Sequence, residues 1–275
     1  MKKVFVTLSV LYIASGYAMV KPLKELDYSD GKFNEQELVQ QSDEYLAEIG
    51  ELNLSSNSLT HFPAVLQRMP NLQNLFLNEN KIGSFKDMPA LSNLRVLWLQ
   101  NNQIGSFKDM PALTNLQTLW LQDNQIKSFE GMPVLTNLRG LSLDKNQIDS
   151  FKDMPVLPSL QSLGLNENKI DSFKHMPVLT NLQILWLQKN QIGSFEDMPI
   201  LTNLQQLHLS NNQIGSFKHM PVLTNLIVLS LLDNKIDSFE YMPVLTNLQL
   251  LGLNNNKIDS TAINTWKQKH PNIHV

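Results

Sequence analysis

Apolar residues recur along the chain with one fixed period from position 72 onward. The leucine that opens each unit returns every 22 residues, at Leu72, Leu94, Leu116, Leu138, Leu160, Leu182, Leu204, Leu226 and Leu248. A slightly different unit of 23 residues begins at Ile49, which brings the number of units to ten. One unit is too short to bury its own apolar edge, whereas stacked units share a continuous core. The pattern therefore predicts a solenoid over residues 49–259, whose last unit merges into a cap.

Each unit combines two hydrophobic periods. In the sequence LRVLWL at 94–99 the last two leucines are two positions apart, which is the period of a β-strand. The second half advances in threes, as in Ile104, Phe107 and Met110, and a proline follows the methionine. Three residues per turn fits short 3₁₀ or extended segments, and proline opposes a continuing helix. We therefore expect an α/β solenoid with one short strand in each unit.

One asparagine of each unit falls where the strand turns into a loop. A bend at this point leaves backbone groups unpaired inside the structure, and an amide side chain can both donate and accept hydrogen bonds. Stacking of the units then predicts an internal ladder of asparagines. Its members are Asn57, Asn80, Asn102, Asn124, Asn146, Asn168, Asn190, Asn212, Asn234 and Asn256.

The consensus LxxLxLxxNxIxxFxxMPxLxN resembles the leucine-rich repeat family, and in particular its 22-residue class. That class includes the bacterial internalins and a regulatory subunit of protein phosphatase 1. The resemblance covers residues 49–260 and implies a curved horseshoe whose concave side is a parallel β-sheet. It also implies protein recognition as the usual function. Phe and Met replace the more usual aliphatic residues on the convex side, and there is neither a cysteine cap nor a cell-wall sorting motif.

Both ends of a solenoid need a cap over the exposed core. The N-terminal cap is expected over 19–48. Within it, Asn34 followed by Glu37 resembles a capping box, which predicts a helix over 34–47.

The C-terminal cap is expected over 260–275. Ser260 is predicted to cap a helix that carries Ile263 and Trp266 in its apolar stripe, and Pro271 ends that helix. Ile273 and Val275 are expected to close the edge of the sheet. Trp266 is accordingly interpreted as part of the cap rather than as a binding residue.

The first residues have the order of a secretory signal peptide. Lys2 and Lys3 precede the apolar run 4–14, and a Gly-Tyr-Ala sequence at 16–18 supplies small residues for cleavage. We expect removal of residues 1–18 and export of the mature bacterial chain, either to the periplasm or released. A short buried strand or helix is the alternative for this segment. No later apolar stretch reaches the roughly 18–20 residues needed to cross a bilayer, so no membrane insertion of the mature chain is expected.

Composition argues against several functions. The formal net charge is −3 at pH 7 and no Lys/Arg run is present, so nucleic-acid binding is not expected. The chain has no cysteine, which removes disulfides, zinc–thiolate sites and thiol nucleophiles. Serines recur in nearly every unit, whereas a catalytic group is singular and lies beside a base and an oxyanion donor. The sequence therefore predicts neither an enzyme nor a bound cofactor.

One set of residues invites a metal-binding interpretation. His175, Asp197 and His219 occupy the same convex column on consecutive repeats. That column otherwise holds Asp, Gly and Tyr, and convex segments of such solenoids splay apart. No metal site is therefore expected.

The outward positions of the predicted strands differ between units and can therefore carry specificity. Three of the four tryptophans lie in one such column, at Trp98, Trp120 and Trp186. Support of the sheet by aromatic pairs is one explanation, but Ser142 and Gly164 occupy the same column, so the strand forms without an aromatic. We favour contact with a ligand. The predicted partner-binding residues are Phe76, Trp98, Trp120, Asp144, Asn166, Ile184, Trp186 and His208.

A groove is expected between Trp120 and Trp186, which are three strands or roughly 14 Å apart. The residues between them are small or polar: Gly140, Ser142, Ser162 and Gly164, bordered by Asp144 and Asn166. Such a groove could accept a side chain, a peptide segment or a sugar ring. A smaller apolar set, which either extends the surface or shields the C-terminal cap, comprises Val228, Leu232 and Leu250.

The sequence favours an exported recognition protein that binds a protein partner on its concave face. A carbohydrate-binding protein is the alternative, because tryptophan faces stack on sugar rings while Asp, Asn and Gln bond hydroxyl groups. A third reading is an intracellular scaffold that resembles the phosphatase regulator, and it requires that the leader is retained.

Overall fold

The computed structural model describes residues 23–275, so the predicted signal peptide at 1–18 lies outside the described residues. Within this range eleven strands form one parallel sheet, and they are neighbours in chain order. The strands are β1 (Lys24–Asp27), β2 (Ile49–Asn53), β3 (Asn74–Phe76), β4 (Val96–Trp98), β5 (Thr118–Trp120), β6 (Gly140–Ser142), β7 (Ser162–Gly164), β8 (Ile184–Trp186), β9 (Gln206–His208), β10 (Val228–Ser230) and β11 (Leu250–Gly252). The predicted solenoid with a parallel sheet is confirmed.

The repeats stack without any shift of register from β2 to β11. Leu97 pairs with Leu119, and Trp98 pairs with Trp120, so each column of the sequence becomes one row across the sheet. The inward leucine of each strand from β2 to β11 is buried, while the residues on either side of it face outward. We call the outward residues of β2–β11 the sheet face.

The core consists of stacked columns of identical residues. The inward strand leucines from β2 to β11 and the isoleucines from Ile82 to Ile236 have essentially no exposed surface. The phenylalanines form a second column, in which Phe107 and Phe129 have parallel rings with centroids 6.4 Å apart. Trp266 of the C-terminal cap continues this column, since its ring lies 5.1 Å from that of Phe239. The cap therefore closes the same apolar stack that the repeats build, as expected for Trp266.

The convex side is built from turns and extended segments, together with a 3₁₀ helix over Ala64–Arg68 in the first unit. On this side each of the eight complete 22-residue units has one residue with a positive φ, and at Gly131 this angle is +79°. The same column holds His175, Asp197 and His219, with φ between 60° and 67°. Within residues 23–275 no group of three or more His, Asp or Glu side chains lies close enough to hold a metal. The column therefore has a clear role in the backbone turn.

The internal asparagines hold consecutive units together. Asn146 Nδ2 donates to the carbonyls of Leu121 and Leu143 over 2.9 and 3.1 Å. Its Oδ1 accepts from the backbone N–H of Ile126 over 2.9 Å. One amide thus satisfies three backbone groups that the bend leaves without strand partners. The first member, Asn57, extends the series into the N-terminal cap by donating to the carbonyl of Tyr28 over 2.7 Å.

A second, exposed series of asparagines was not predicted. Asn115 Nδ2 donates to the carbonyl of Ser92 in the preceding unit over 2.8 Å. Equivalent bonds from one unit to the one before it are made by Asn71, Asn93, Asn137, Asn181, Asn203, Asn225 and Asn247. Ser159 stands at this position in its own unit.

The N-terminal cap differs from the prediction. Instead of one helix over 34–47 it contains α1 (Glu35–Val39) and α2 (Asp43–Ala47). The helix is interrupted between them because Ser42 acts as a second N-cap and accepts a hydrogen bond from the N–H of Tyr45 over 3.2 Å. Asn34 caps α1 by accepting from the N–H of Gln36. The strand β1 was also missed, and it lies against β2 at the edge of the sheet.

The C-terminal cap is the helix α3 (Ser260–Lys269). The prediction of Ser260 as its N-cap was wrong. Asp259 occupies that position because its carboxylate accepts from the N–H of Thr261 over 2.8 Å. After the helix, His274 pairs with Leu250 and covers the far edge of the sheet. No helix within residues 23–275 is long and apolar enough to cross a membrane.

Candidate functional site

Three aromatic side chains lie side by side at one end of the sheet face. The rings of Trp98 and Trp120 stack with centroids 4.7 Å apart and planes 11° apart. Phe76 lies against Trp98 at 4.4 Å with its ring tilted by 47°. The three side chains are half-buried, because each ring covers its neighbour. Trp98 Nε1 is buried and has no hydrogen-bond partner among the described residues.

A second aromatic pair stands on the other side of the small-residue region. Trp186 stacks on His208 with centroids 6.3 Å apart and planes 15° apart. Burial lowers the pKa of His208 below its ordinary value, so this ring favours the neutral form. Its Nε2 lies 3.3 Å from Gln206 Oε1. The pair therefore provides an aromatic surface with little positive charge at neutral pH.

A groove of about 320 Å³ lies between Trp120 and Trp186. Its remaining lining residues are Gln122, Gly140, Leu141, Ser142, Asp144, Ser162, Gly164 and Asn166. Glycine at position 164 avoids crowding, because an added Cβ would lie 3.0 Å from Asp144 Oδ1 and 3.1 Å from Ser142 Oγ and these side chains would have to shift. The absent side chain therefore leaves room for the carboxylate on the groove floor.

Asp144 is the charged group of this groove. Its Oδ1 accepts from the backbone N–H of Asn166 over 2.7 Å, and Ser142 Oγ donates to its Oδ2 over 3.3 Å. Burial nevertheless raises the pKa of the Asp144 carboxyl, and the negative charge of Glu167 raises it further. The hydrogen bonds oppose this rise without cancelling it.

The lysines of the adjoining loops are paired with other carboxylates. Lys145 lies 3.6 Å from Asp123, and Lys189 lies 3.0 Å from Glu167. The lining of the groove itself includes no Lys, Arg or His. Asp144 is thus a partly buried negative charge without a basic neighbour in the lining.

Amide side chains form the rim of the groove. Asn166 Oδ1 accepts from the backbone N–H of Gln188 over 2.9 Å. Gln122 Oε1, by contrast, is buried and has no hydrogen-bond partner among the described residues. The sequence interpretation named Asn166 but missed Gln122. The signal was available, since Gln122 occupies the same column of its unit as Asp144 and Asn166.

The structure brings four of the eight predicted binding residues together in one groove: Trp120, Asp144, Asn166 and Trp186. Phe76 and Trp98 continue the surface beyond Trp120, His208 continues it beyond Trp186, and Ile184 lies on the same strand as Trp186. The separate apolar set lies near the C-terminal cap, where Leu250 is 45% exposed.

The repeats match a known family. The family model described as leucine rich repeats in two copies matches residues 70–113, 92–134, 114–156 and 180–221. A search of curated proteins by sequence found no match.

Solved structures share the fold. An internalin (inlF) from Listeria monocytogenes str. 4b F2365 is 24% identical, with a TM-score of 0.61 over 80% of this chain and 71% of its own. Internalin C2 from the same strain is 28% identical, with a TM-score of 0.63 over 69% of this chain and 84% of its own.

A plant protein is similar over part of its length. The ectodomain of the receptor kinase GASSHO1/SCHENGEN3 from Arabidopsis thaliana, in complex with Casparian strip integrity factor 2, is 25% identical. The TM-score is 0.52 over 77% of this chain, which spans 30% of that ectodomain. Repeats, register and solved structures agree that this chain is a solenoid of leucine-rich repeats.

Proposed function

We propose that this chain is an exported, non-catalytic recognition protein that binds a protein partner on its sheet face. The observation that carries the proposal is the groove between Trp120 and Trp186, flanked by further aromatic rings. Leucine-rich repeat proteins generally mediate protein recognition, and one similar ectodomain is seen in a complex. Export rests on the leader-like sequence at 1–18.

The aromatic rings offer binding energy that the fold itself does not require. Complete burial of one tryptophan contributes about 4–6 kcal/mol gross, from roughly 150–250 Å² at about 25 cal/mol per Å². Because most of each ring is already buried, a partner gains at most about a third of that from each one. Tryptophan is also enriched among the residues that dominate binding at interfaces.

A comparison of capture by two triple variants tests the proposal. Replacement of Trp98, Trp120 and Trp186 by alanine should reduce affinity for a captured protein by at least about a hundredfold, given roughly 2 kcal/mol or more per residue at such anchors. The matched control replaces Val134, Val156 and Val178 by alanine, since these are exposed away from the sheet face. Equal loss in both variants, or no loss in the tryptophan variant, would contradict the assignment.

Carbohydrate is the second candidate ligand. It is favoured by the combination of indole walls with Asp144, Asn166 and Gln122 around one groove. Binding on a glycan array, lost in the triple tryptophan variant and retained in the valine variant, would favour it over a protein partner. Export has a separate test. The intact mass of the secreted chain should correspond to a protein that begins at residue 19.

A further inference from the structure

The groove combines aromatic walls with an unbalanced negative charge. Indole faces attract cations placed within about 6 Å of the ring centroid. Trp120 and Trp186 supply such faces on opposite sides, and Asp144 lies between them. An apolar stem with a charged end therefore matches the groove better than a wholly apolar side chain.

The charge of Asp144 defines the chemistry of the occupant. An acidic side chain would be repelled by it, and an apolar side chain would bury the carboxylate further without a counter-charge, which is costly. The Asp144 carboxylate accepts hydrogen bonds from the backbone N–H of Asn166 and from Ser142 Oγ, and both donors are uncharged. Glu167 lies nearby but is paired with Lys189 over 3.0 Å, so the charge of Asp144 is the one left without a basic partner.

The amide oxygen of Gln122 at the rim favours arginine over lysine as the occupant of the groove. Gln122 Oε1 in the lining has no hydrogen-bond donor among the described residues, and the same holds for Gln100 and Gln188 in the same column. A guanidinium carries five N–H donors in one plane, so it can donate to a carboxylate and an amide oxygen while its face lies on an indole. The ammonium group of lysine is not planar, so it cannot donate to both oxygens while a flat face lies on an indole.

We propose that the groove between Trp120 and Trp186 receives an arginine side chain of the protein partner, whose guanidinium pairs with Asp144. This inference rests on the proposed function, since it specifies what the partner presents to that site. The aliphatic stem packs against one of the two indole walls, and Gln122 Oε1 accepts a further hydrogen bond.

Four synthetic heptapeptides test the inference without knowledge of the partner. They consist of glycine and serine and differ only at the central residue, which is arginine, lysine, citrulline or leucine. NMR of the full mature chain follows the indole N–H signals during titration. The arginine peptide should shift the signals of Trp120 and Trp186, and Trp266 in the cap serves as the internal control. Citrulline, the uncharged isostere, should bind at least about tenfold more weakly, because a hydrogen bond to a charged group contributes about 1.5–3 kcal/mol.

The variant Asp144→Asn isolates the charge. An asparagine can still accept from the N–H of Asn166, so the repeat should remain folded, and the advantage of arginine over citrulline should disappear. Asp171→Asn is the matched control, because Asp171 is exposed and outside the lining.

Several outcomes would overturn the inference. They are equal binding of arginine and citrulline peptides, stronger binding of lysine than of arginine, unchanged preference in Asp144→Asn, or no shift with any peptide at millimolar concentration. A partner whose capture depends on the tryptophans but not on Asp144 would overturn the arginine site alone. Capture that is independent of the tryptophans would instead overturn the proposed function.

Discussion

Asp144 in one unit accepts a hydrogen bond from the backbone N–H of Asn166 in the next, over 2.7 Å. This bond links two repeats directly beneath the groove. It also places a carboxylate where burial makes ionisation unfavourable, so one residue couples the solenoid to its candidate site.

Replacement of Asp144 by asparagine should stabilise the free protein at neutral pH. Burial raises the pKa of this carboxyl in the folded chain, so its charged form costs stability above that pKa. The cost shrinks as the pH falls through the raised pKa and is absent below the ordinary value of 3.8. Urea denaturation should therefore show Asp144→Asn as the more stable chain at pH 7 and no difference at about pH 3. A less stable variant at pH 7 would contradict the raised pKa.

Loss of an internal asparagine should be far more damaging than loss of an exposed one. Asn146→Ala removes two donors and one acceptor that satisfy buried backbone groups, at about 1–3 kcal/mol for each group left unpaired. We expect a loss of roughly 3 kcal/mol or more in the free energy of unfolding. Asn137→Ala removes one exposed bond to the carbonyl of Thr114 and should cost about 1 kcal/mol or less. Urea denaturation of both variants measures the difference, and similar costs would contradict the distinction.

The stacked indoles of Trp98 and Trp120 should be energetically coupled. Aromatic pairs in such geometry contribute about 0.5–1.5 kcal/mol beyond the area that they bury. A double-mutant cycle with Trp98→Ala and Trp120→Ala, measured on the free energy of unfolding, should give a coupling energy in this range. The same cycle on Trp98 and Trp186, which lie four strands apart, should give a value within about 0.5 kcal/mol of zero. Equal coupling energies in the two cycles would show that stacking of the two indoles is not the cause of the coupling.

The convex turn column should prefer glycine. His175 has a φ of 67°, a conformation that costs an L-residue about 1 kcal/mol or more relative to glycine. His175→Gly should therefore be more stable than His175→Ala by about 1 kcal/mol in urea denaturation. Gly131, in the same column of another unit, shows that the turn accepts glycine. A more stable alanine variant would mean that the turn is not left-handed in solution.

The repeats could be predicted from the sequence because each column is sampled many times. The positions of Leu97 and Trp98 alternate between core and surface in the same way in every unit. The register of the sheet therefore follows from the spacing of 22 residues. The two caps each occur only once, so no repeated pattern supports their prediction. Three of the four residues of β1 are charged, and its pairing depends on the exposed edge of β2 rather than on its own apolar pattern. Asp259 and Ser260 are adjacent cap candidates, and only the geometry of the chain selects the first.

The composition of the groove followed from the sequence, whereas its chemistry required side-chain positions. The spacing of Trp120 and Trp186 and the small residues between them are visible in the columns. The stacking of Trp98 on Trp120 depends on rotamers that column spacing does not specify. The same is true of Gln122, whose amide oxygen has no hydrogen-bond donor among the described residues.

The strict one-strand-per-unit register has a consequence for how such a site can evolve. Trp120 and Trp186 lie three strands apart, and an in-frame deletion of residues 139–160 would leave them two strands apart. Every remaining unit would still meet a neighbour of the same kind, because each contacts only the units beside it. The opening between the indoles therefore changes in steps of about 4.8 Å. Recombination between repeats can in this way resize the ligand site through copy number alone, without a single substitution.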